Sequence, residues 1–162
     1  MKKLSALFLA FIFCMSFVSC TKDEDPIYIE SALLGAWVFT TDSSCSVIKN
    51  FSGEYGGMQF ESRKVYVIGS YSASFDPSVY EKVFFGNITG GGTGYVQVTV
   101  DGSLGQFDYY FNSDTCLTLT SGTGGYMRKL SSTVRSGTRN QSLLQSPSPS
   151  TNLKNQIISN MK

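Results

Sequence analysis

Between residues 33 and 130, apolar and polar side chains alternate with a period of two. In YVQVTV, 95–100, Val96, Val98 and Val100 fall on one face. In FDYYF, 107–111, Phe107, Tyr109 and Phe111 share a face and Asp108 takes the other. CLTLT, 116–120, alternates Leu117 and Leu119 with Thr118 and Thr120. Such alternation gives each strand one buried and one wet face. The runs are separated by turn-forming clusters: TGGGTG at 89–94, VDGS at 100–103, NSD at 112–114 and SGTGG at 121–125. Gly and Asp supply the positive φ that tight hairpins need. The pattern predicts strands at 34–41, 46–51, 57–61, 63–68, 79–85, 93–100, 105–111, 115–120 and 125–130, with 71–75 a weaker candidate. It predicts no long helix among them. Short strands with turns every 8 to 12 residues imply an all-β barrel or sandwich of sequential hairpins.

The two ends of the chain break this pattern. At the start, Lys2 and Lys3 precede an apolar run from Leu4 to Val18, which fits the h-region of an export signal and is short for a bilayer-spanning helix. The run ends FVSC. Ser19 followed by Cys20 resembles a bacterial lipoprotein cleavage box, with Phe17 where that family usually has Leu. The resemblance implies a signal peptide at 1–19 and acylation of Cys20. The following TKDED is similar to the surface-export signal of one Gram-negative group. It opens an acidic tether, 20–32, and implies an outer-membrane, cell-surface location with the membrane as partner. The alternative is an ordinary cleaved signal with a chance Cys at its end.

At the other end, 131–162 holds no aromatic and no acid. It is rich in Ser, Thr, Asn and Gln, with SPSPS at 146–150. Arg135, Arg139, Lys154 and Lys162 make it basic. Such composition buries too little surface to offset ordering entropy, so 131–150 is expected to be disordered. In TNLKNQIISNMK, 151–162, Leu153, Ile157, Ile158 and Met161 suit one face of a short helix. Twelve residues are marginal for an isolated helix, so a frayed end is expected over docking on the barrel.

Charge and cysteine usage narrow the picture. The formal charge is +1 for the whole chain. Loss of Lys2 and Lys3 with an acid-free signal takes it to −1, which gives no indication of nucleic acid. Cys14 would leave with the signal and Cys20 would carry lipid, leaving Cys45 and Cys116. An exported domain meets oxidising conditions, so these two are a candidate disulfide, with two buried thiols as the alternative.

GAW, 35–37, contains the only tryptophan of the chain. A Gly-x-Trp at the head of a meander of hairpins resembles the lipocalin-like (calycin) barrels. So does the order that follows: FFGNITGGGTGYV, then FDYYFNSDTCLTLT, then GYMRKL at 125–130. The likeness spans 33–130. It implies a small antiparallel up-and-down β-barrel, with Trp37 near the closed end and Arg128 of the last strand packed over it by a cation–π contact. The chain departs from full lipocalins in lacking long loops and a clear helix just after the last strand. An eight-stranded barrel can be plugged by side chains or hold one small ligand.

Chemistry for catalysis is sparse. The sequence contains no histidine, which excludes His-based nucleophile systems and His-ligated metal sites. Asp42, Glu54, Glu61, Asp76, Glu81, Asp101, Asp108 and Asp114 fall mainly at turns or on polar strand faces, where solvated surface is expected. TGGGTG lacks the Lys and helix of a phosphate loop. Asn87, Ile88 and Thr89 form a glycosylation-like triplet, which in a bacterial chain is read as a chance match. No enzymatic activity and no cofactor are expected. Aromatic side chains at 14% dominate instead. Tyr66, Phe85, Tyr95 and Tyr109 are the candidate wall of a pocket for a small apolar or amphipathic ligand. The competing reading is a filled barrel, displayed as a structural or interaction module with a protein or glycan partner.

Overall fold

A computed structural model describes residues 27–121, 124–135 and 149–160. The expected signal peptide, 1–19, Cys20 and most of the expected tether lie outside them. Eight strands close into an antiparallel up-and-down barrel: β1 (Gly35–Thr40), β2 (Tyr55–Phe60), β3 (Lys64–Ser70), β4 (Glu81–Gly92), β5 (Tyr95–Val100), β6 (Ser103–Ser113), β7 (Cys116–Leu119) and β8 (Gly125–Lys129). Each strand pairs with the next, and β1 pairs with β8 from Trp37↔Lys129 to Thr40↔Tyr126. Closure removes both sheet edges.

Two expected strands do not form. Residues 46–51 contribute only the isolated bridges Thr40↔Ile48 and Phe51↔Glu54, and 71–75 lies in the β3–β4 connection. Both connections fold back on the outside of the barrel and bury Ile48 and Tyr80 there, with Phe75 packed alongside. Ile48, Phe75 and Tyr80 thus serve this outer cluster rather than a ladder, while Phe51 packs edge-on against the inward Phe39. The Gly-rich 89–94 is mostly strand, with the turn confined to Thr93 and Gly94. The glycines are needed for close approach: a Cβ on Gly91 would stand 2.5 Å from the Tyr28 carbonyl oxygen.

Period-two alternation sorts the side chains into two clusters. Inside lie Trp37, Phe39, Met58, Phe60, Val65, Val67, Phe85, Val96, Val98, Phe107, Leu117 and Met127, among others. Burying each large apolar side chain contributes about 1.5–3 kcal/mol. Outside, Ala36, Val38 and Ile68 are covered by the two connections and by Leu130 and Val134. Cys45 and Cys116 form a disulfide with Cα atoms 5.8 Å apart. It ties the β1–β2 connection to β7 across 71 residues.

The tail departs from its expectation where it is described. Residues 131–135 lie on the barrel: Val134 is buried and its N–H donates to Gln59 Oε1 at 2.6 Å. Residues 149–160 form helix α1 (Pro149–Asn160). Leu153 and Ile157, one turn apart, are buried in the inner cluster, with Ile158 packed beside them. The frayed end is therefore replaced by a docked helix. Composition pointed the other way because the tail's few apolar groups become ordering only against a surface already built by the barrel. Residues 136–148, including most of SPSPS, lie outside the described residues.

Candidate functional site

The barrel interior is the first place to look for a site, and side chains fill it. Phe85 and Phe107 pack with ring centroids 6.1 Å apart, Tyr109 meets Phe111 edge-on at 5.5 Å, and Phe111 meets Trp37 at 6.0 Å. The Trp37 indole N–H donates to the Leu33 carbonyl at 2.8 Å. One end is closed by the segment preceding β1, which brings Leu33 into the cluster with Ile27 and Ile29 beside it. Leu153 of α1 reaches the same cluster past Gly56, where a Cβ would stand 2.3 Å from Leu153 Cδ2.

The four expected pocket residues divide by face. Phe85 and Tyr109 are inside and buried. The Tyr109 hydroxyl donates to Glu30 Oε2 at 2.6 Å, and the Gly94 N–H donates to the same oxygen at 3.1 Å. Burial and then the Glu30 carboxylate push the Tyr109 phenol well above its ordinary range. Tyr66 and Tyr95 are outside. Tyr66 opposes Phe84 across β3–β4, and Tyr95 is partly exposed at the start of β5. The four therefore do not line one pocket. The reason is alternation along each strand: Tyr66 lies between the inward Val65 and Val67, and Tyr95 precedes the inward Val96.

Strand parity also corrects the expected Trp37–Arg128 pair. Trp37 lies opposite Lys129, and Val38 lies opposite Arg128. Lys129 Nζ stands 5.2 Å from the Trp37 ring centroid, while the Arg128 guanidinium lies 4.3 Å from the Phe75 ring on the outer face. Neighbouring strand residues point to opposite faces, so one position in register exchanges the two cations.

The outer face holds the groups that meet solvent. On β3 and β4, Tyr66 and Phe84 pack edge-on at 6.0 Å. Lys82 Nζ lies 4.5 Å from the Tyr66 ring and 3.1 Å from Glu61 Oε1. Phe84 is 45% exposed. Across β6, β7 and β8, Tyr110, Thr118 and Tyr126 stand in register, and Tyr110 is 55% exposed. Beside them runs a polar row: Gln97 donates to Gln106 Oε1 at 3.3 Å, and Gln106 donates to Asp108 Oδ1 at 2.7 Å. Phe84 and Tyr110 lie outside the expected pocket wall, and Lys82 is not among the candidate residues the sequence offers. Their signal is the outward position in FDYYF and EKVFF, readable only once the inward set is known.

The carboxylates serve local structure. Asp42 accepts from the Ser44 N–H at 2.9 Å and from the Ser44 hydroxyl, which holds its carboxyl below the ordinary value. Asp76 caps the 3₁₀ turn Pro77–Val79 through the Ser78 N–H at 2.8 Å, and its carboxyl is lowered by that bond. Among the described residues, no group of three or more Cys, Asp or Glu side chains converges to hold a metal ion. The chain matches no family model, no curated protein and no solved structure.

Proposed function

We propose that this chain is an outer-membrane lipoprotein, anchored through Cys20, that displays a filled lipocalin-like barrel at the cell surface. In this reading it is not an enzyme. It meets a protein or glycan partner through its outer sheet face. The observation that carries the reading is the packed interior, together with exposed aromatics on the outside. Phe85 and Tyr109, the two candidate wall residues that point inward, are already packed on Phe107 and Phe111. Phe84 instead faces solvent beside the Tyr66 ring, and Tyr110 faces solvent on the strand that carries Gln106 and Asp108, whose amide and carboxylate can hydrogen-bond a partner.

The filled barrel distinguishes this reading from a carrier of small apolar ligands. Native mass spectrometry of the mildly extracted protein tests it. The expected result is a mass with no retained small molecule and no uptake of fatty acids. A stoichiometric apolar ligand would return the function to a carrier.

A further inference from the structure

We propose that the end of the barrel bearing Tyr28 and Tyr95 faces the bilayer, with these two tyrosines seated in the lipid headgroup layer. The proposal rests on the lipid anchor at Cys20 argued above. Ile27, where the described structure begins, follows Cys20 by seven positions. At about 3.5 Å per extended residue, that span reaches at most about 25 Å, so the end that receives the chain stays close to the membrane.

From Ile27 onward the chain is clamped to that end. The Tyr28 carbonyl lies over Gly91, where a Cβ would be 2.5 Å away. Glu30 Oε2 accepts from the Gly94 N–H at 3.1 Å and the Tyr109 hydroxyl at 2.6 Å. Lys129 Nζ donates to the Ala32 carbonyl at 2.8 Å. The anchor therefore pulls on a fixed point beside the β4–β5 hairpin.

That point presents suitable chemistry. Tyr28 is 56% exposed and Tyr95 is 36% exposed. Tyr28 belongs to the clamped segment, and Tyr95 opens the strand after the hairpin it crosses. A tyrosine ring with a polar tip suits the boundary between acyl chains and water. The hairpin run GGTGY, 91–95, carries no charge. The clamped run IYIESALL, 27–34, carries only Glu30, whose carboxylate is occupied by the two donors above. No bare charge in these two runs must be desolvated when the end approaches lipid.

Hydroxyl-radical footprinting of the full lipidated chain in phosphatidylcholine vesicles tests this. The reference is the unlipidated Cys20→Ser chain in buffer. Labelling of Tyr28 and Tyr95 should fall several-fold in vesicles, while Tyr71 and Leu104, exposed elsewhere on the barrel, keep their labelling. The doubly substituted Tyr28→Ser, Tyr95→Ser chain, with an unchanged β-sheet spectrum, should lose the vesicle-dependent slowing of backbone amide exchange over 91–95. The mass of the N-terminal peptide is read in the same sample. Acylated protein whose Tyr28 and Tyr95 label as they do in buffer overturns the orientation and leaves the anchor standing. A peptide without acyl chains overturns the anchor and the orientation with it. Equal protection of Tyr71 and Leu104 also overturns it.

Discussion

Lys129 Nζ stands 5.2 Å from the centre of the Trp37 ring while it donates to the Ala32 carbonyl at 2.8 Å. One ammonium thus joins the last strand, the first strand and the segment that closes the barrel end. The indole beneath it is fully buried. Trp37→Ala should destabilise the fold by about 3–5 kcal/mol through loss of packing and the cavity left behind. Lys129→Met, which keeps the stem and loses the charge, should cost about 0.5–2 kcal/mol, the range of a cation–π contact. Denaturant unfolding of both variants checks the order, and an unchanged midpoint for Trp37→Ala would refute its place at the barrel end.

Breaking the Cys45–Cys116 bond should lower stability by about 2–4 kcal/mol, since the bond restricts a long loop in the unfolded chain. The Cys45→Ser, Cys116→Ser double variant, compared with the oxidised protein in urea, measures this. Equal midpoints would count against the bond as a stabilising tie.

Gly57→Ala should be among the most damaging small substitutions. A Cβ there would stand 1.8 Å from the Trp37 carbonyl oxygen, a backbone atom that cannot rotate away. Gly102 has a positive φ of 82° and open space around the same position, so Gly102→Ala should cost only the local backbone strain. Melting temperatures of the pair should separate clearly, with Gly57→Ala the lower.

Leu153→Ser should release α1 and leave the barrel intact. Backbone amides over 149–160 should exchange faster in hydrogen-exchange mass spectrometry, while β3 and β4 keep most of their protection. The helix is short, and the buried Leu153 and Ile157, with the partly buried Ile158, are its contacts with the inner cluster. A variant that exchanges as the parent does would mean that α1 is held by other contacts.

Stability should fall at alkaline pH. Burial pushes the Tyr80 phenol up to about 12, and its hydroxyl donates to the Ser74 carbonyl at 2.7 Å. Its ordinary value is about 10. Between these values the folded state holds a proton that the unfolded state has released. Stability is then full below about pH 10 and is lost as pH rises towards 12. Tyr109 is raised in the same direction and adds to the slope. Tyr80→Phe should flatten the dependence of melting temperature on pH over this window, and an unaltered slope would assign the effect elsewhere.

Much of the sheet was readable locally. The alternation in YVQVTV, FDYYF and CLTLT placed Val96, Val98, Phe107, Tyr109, Leu117 and Leu119 on inward faces, and they lie there. This succeeds because strand parity is a property of consecutive residues. Tyr66 and Tyr95 escaped it. Their outward position is nonetheless set by the same parity, since Tyr66 lies between the inward Val65 and Val67 and Tyr95 precedes the inward Val96; the expectation of a pocket overrode it.

By itself, the sequence determined the all-β class, the hairpin order from β4 to β8 and the residue pairs available for a disulfide, because each follows from local periodicity, turn chemistry or residue type. Only the tertiary structure decided that β1 closes on β8, that Lys129 rather than Arg128 faces Trp37, and that the segment before β1 and helix α1 join the inner core. These contacts join residues far apart in the chain, from 64 positions for Glu30 and Gly94 to 97 for Ala32 and Lys129. They depend on register around a closed sheet, where a shift of one residue exchanges the inner and outer faces.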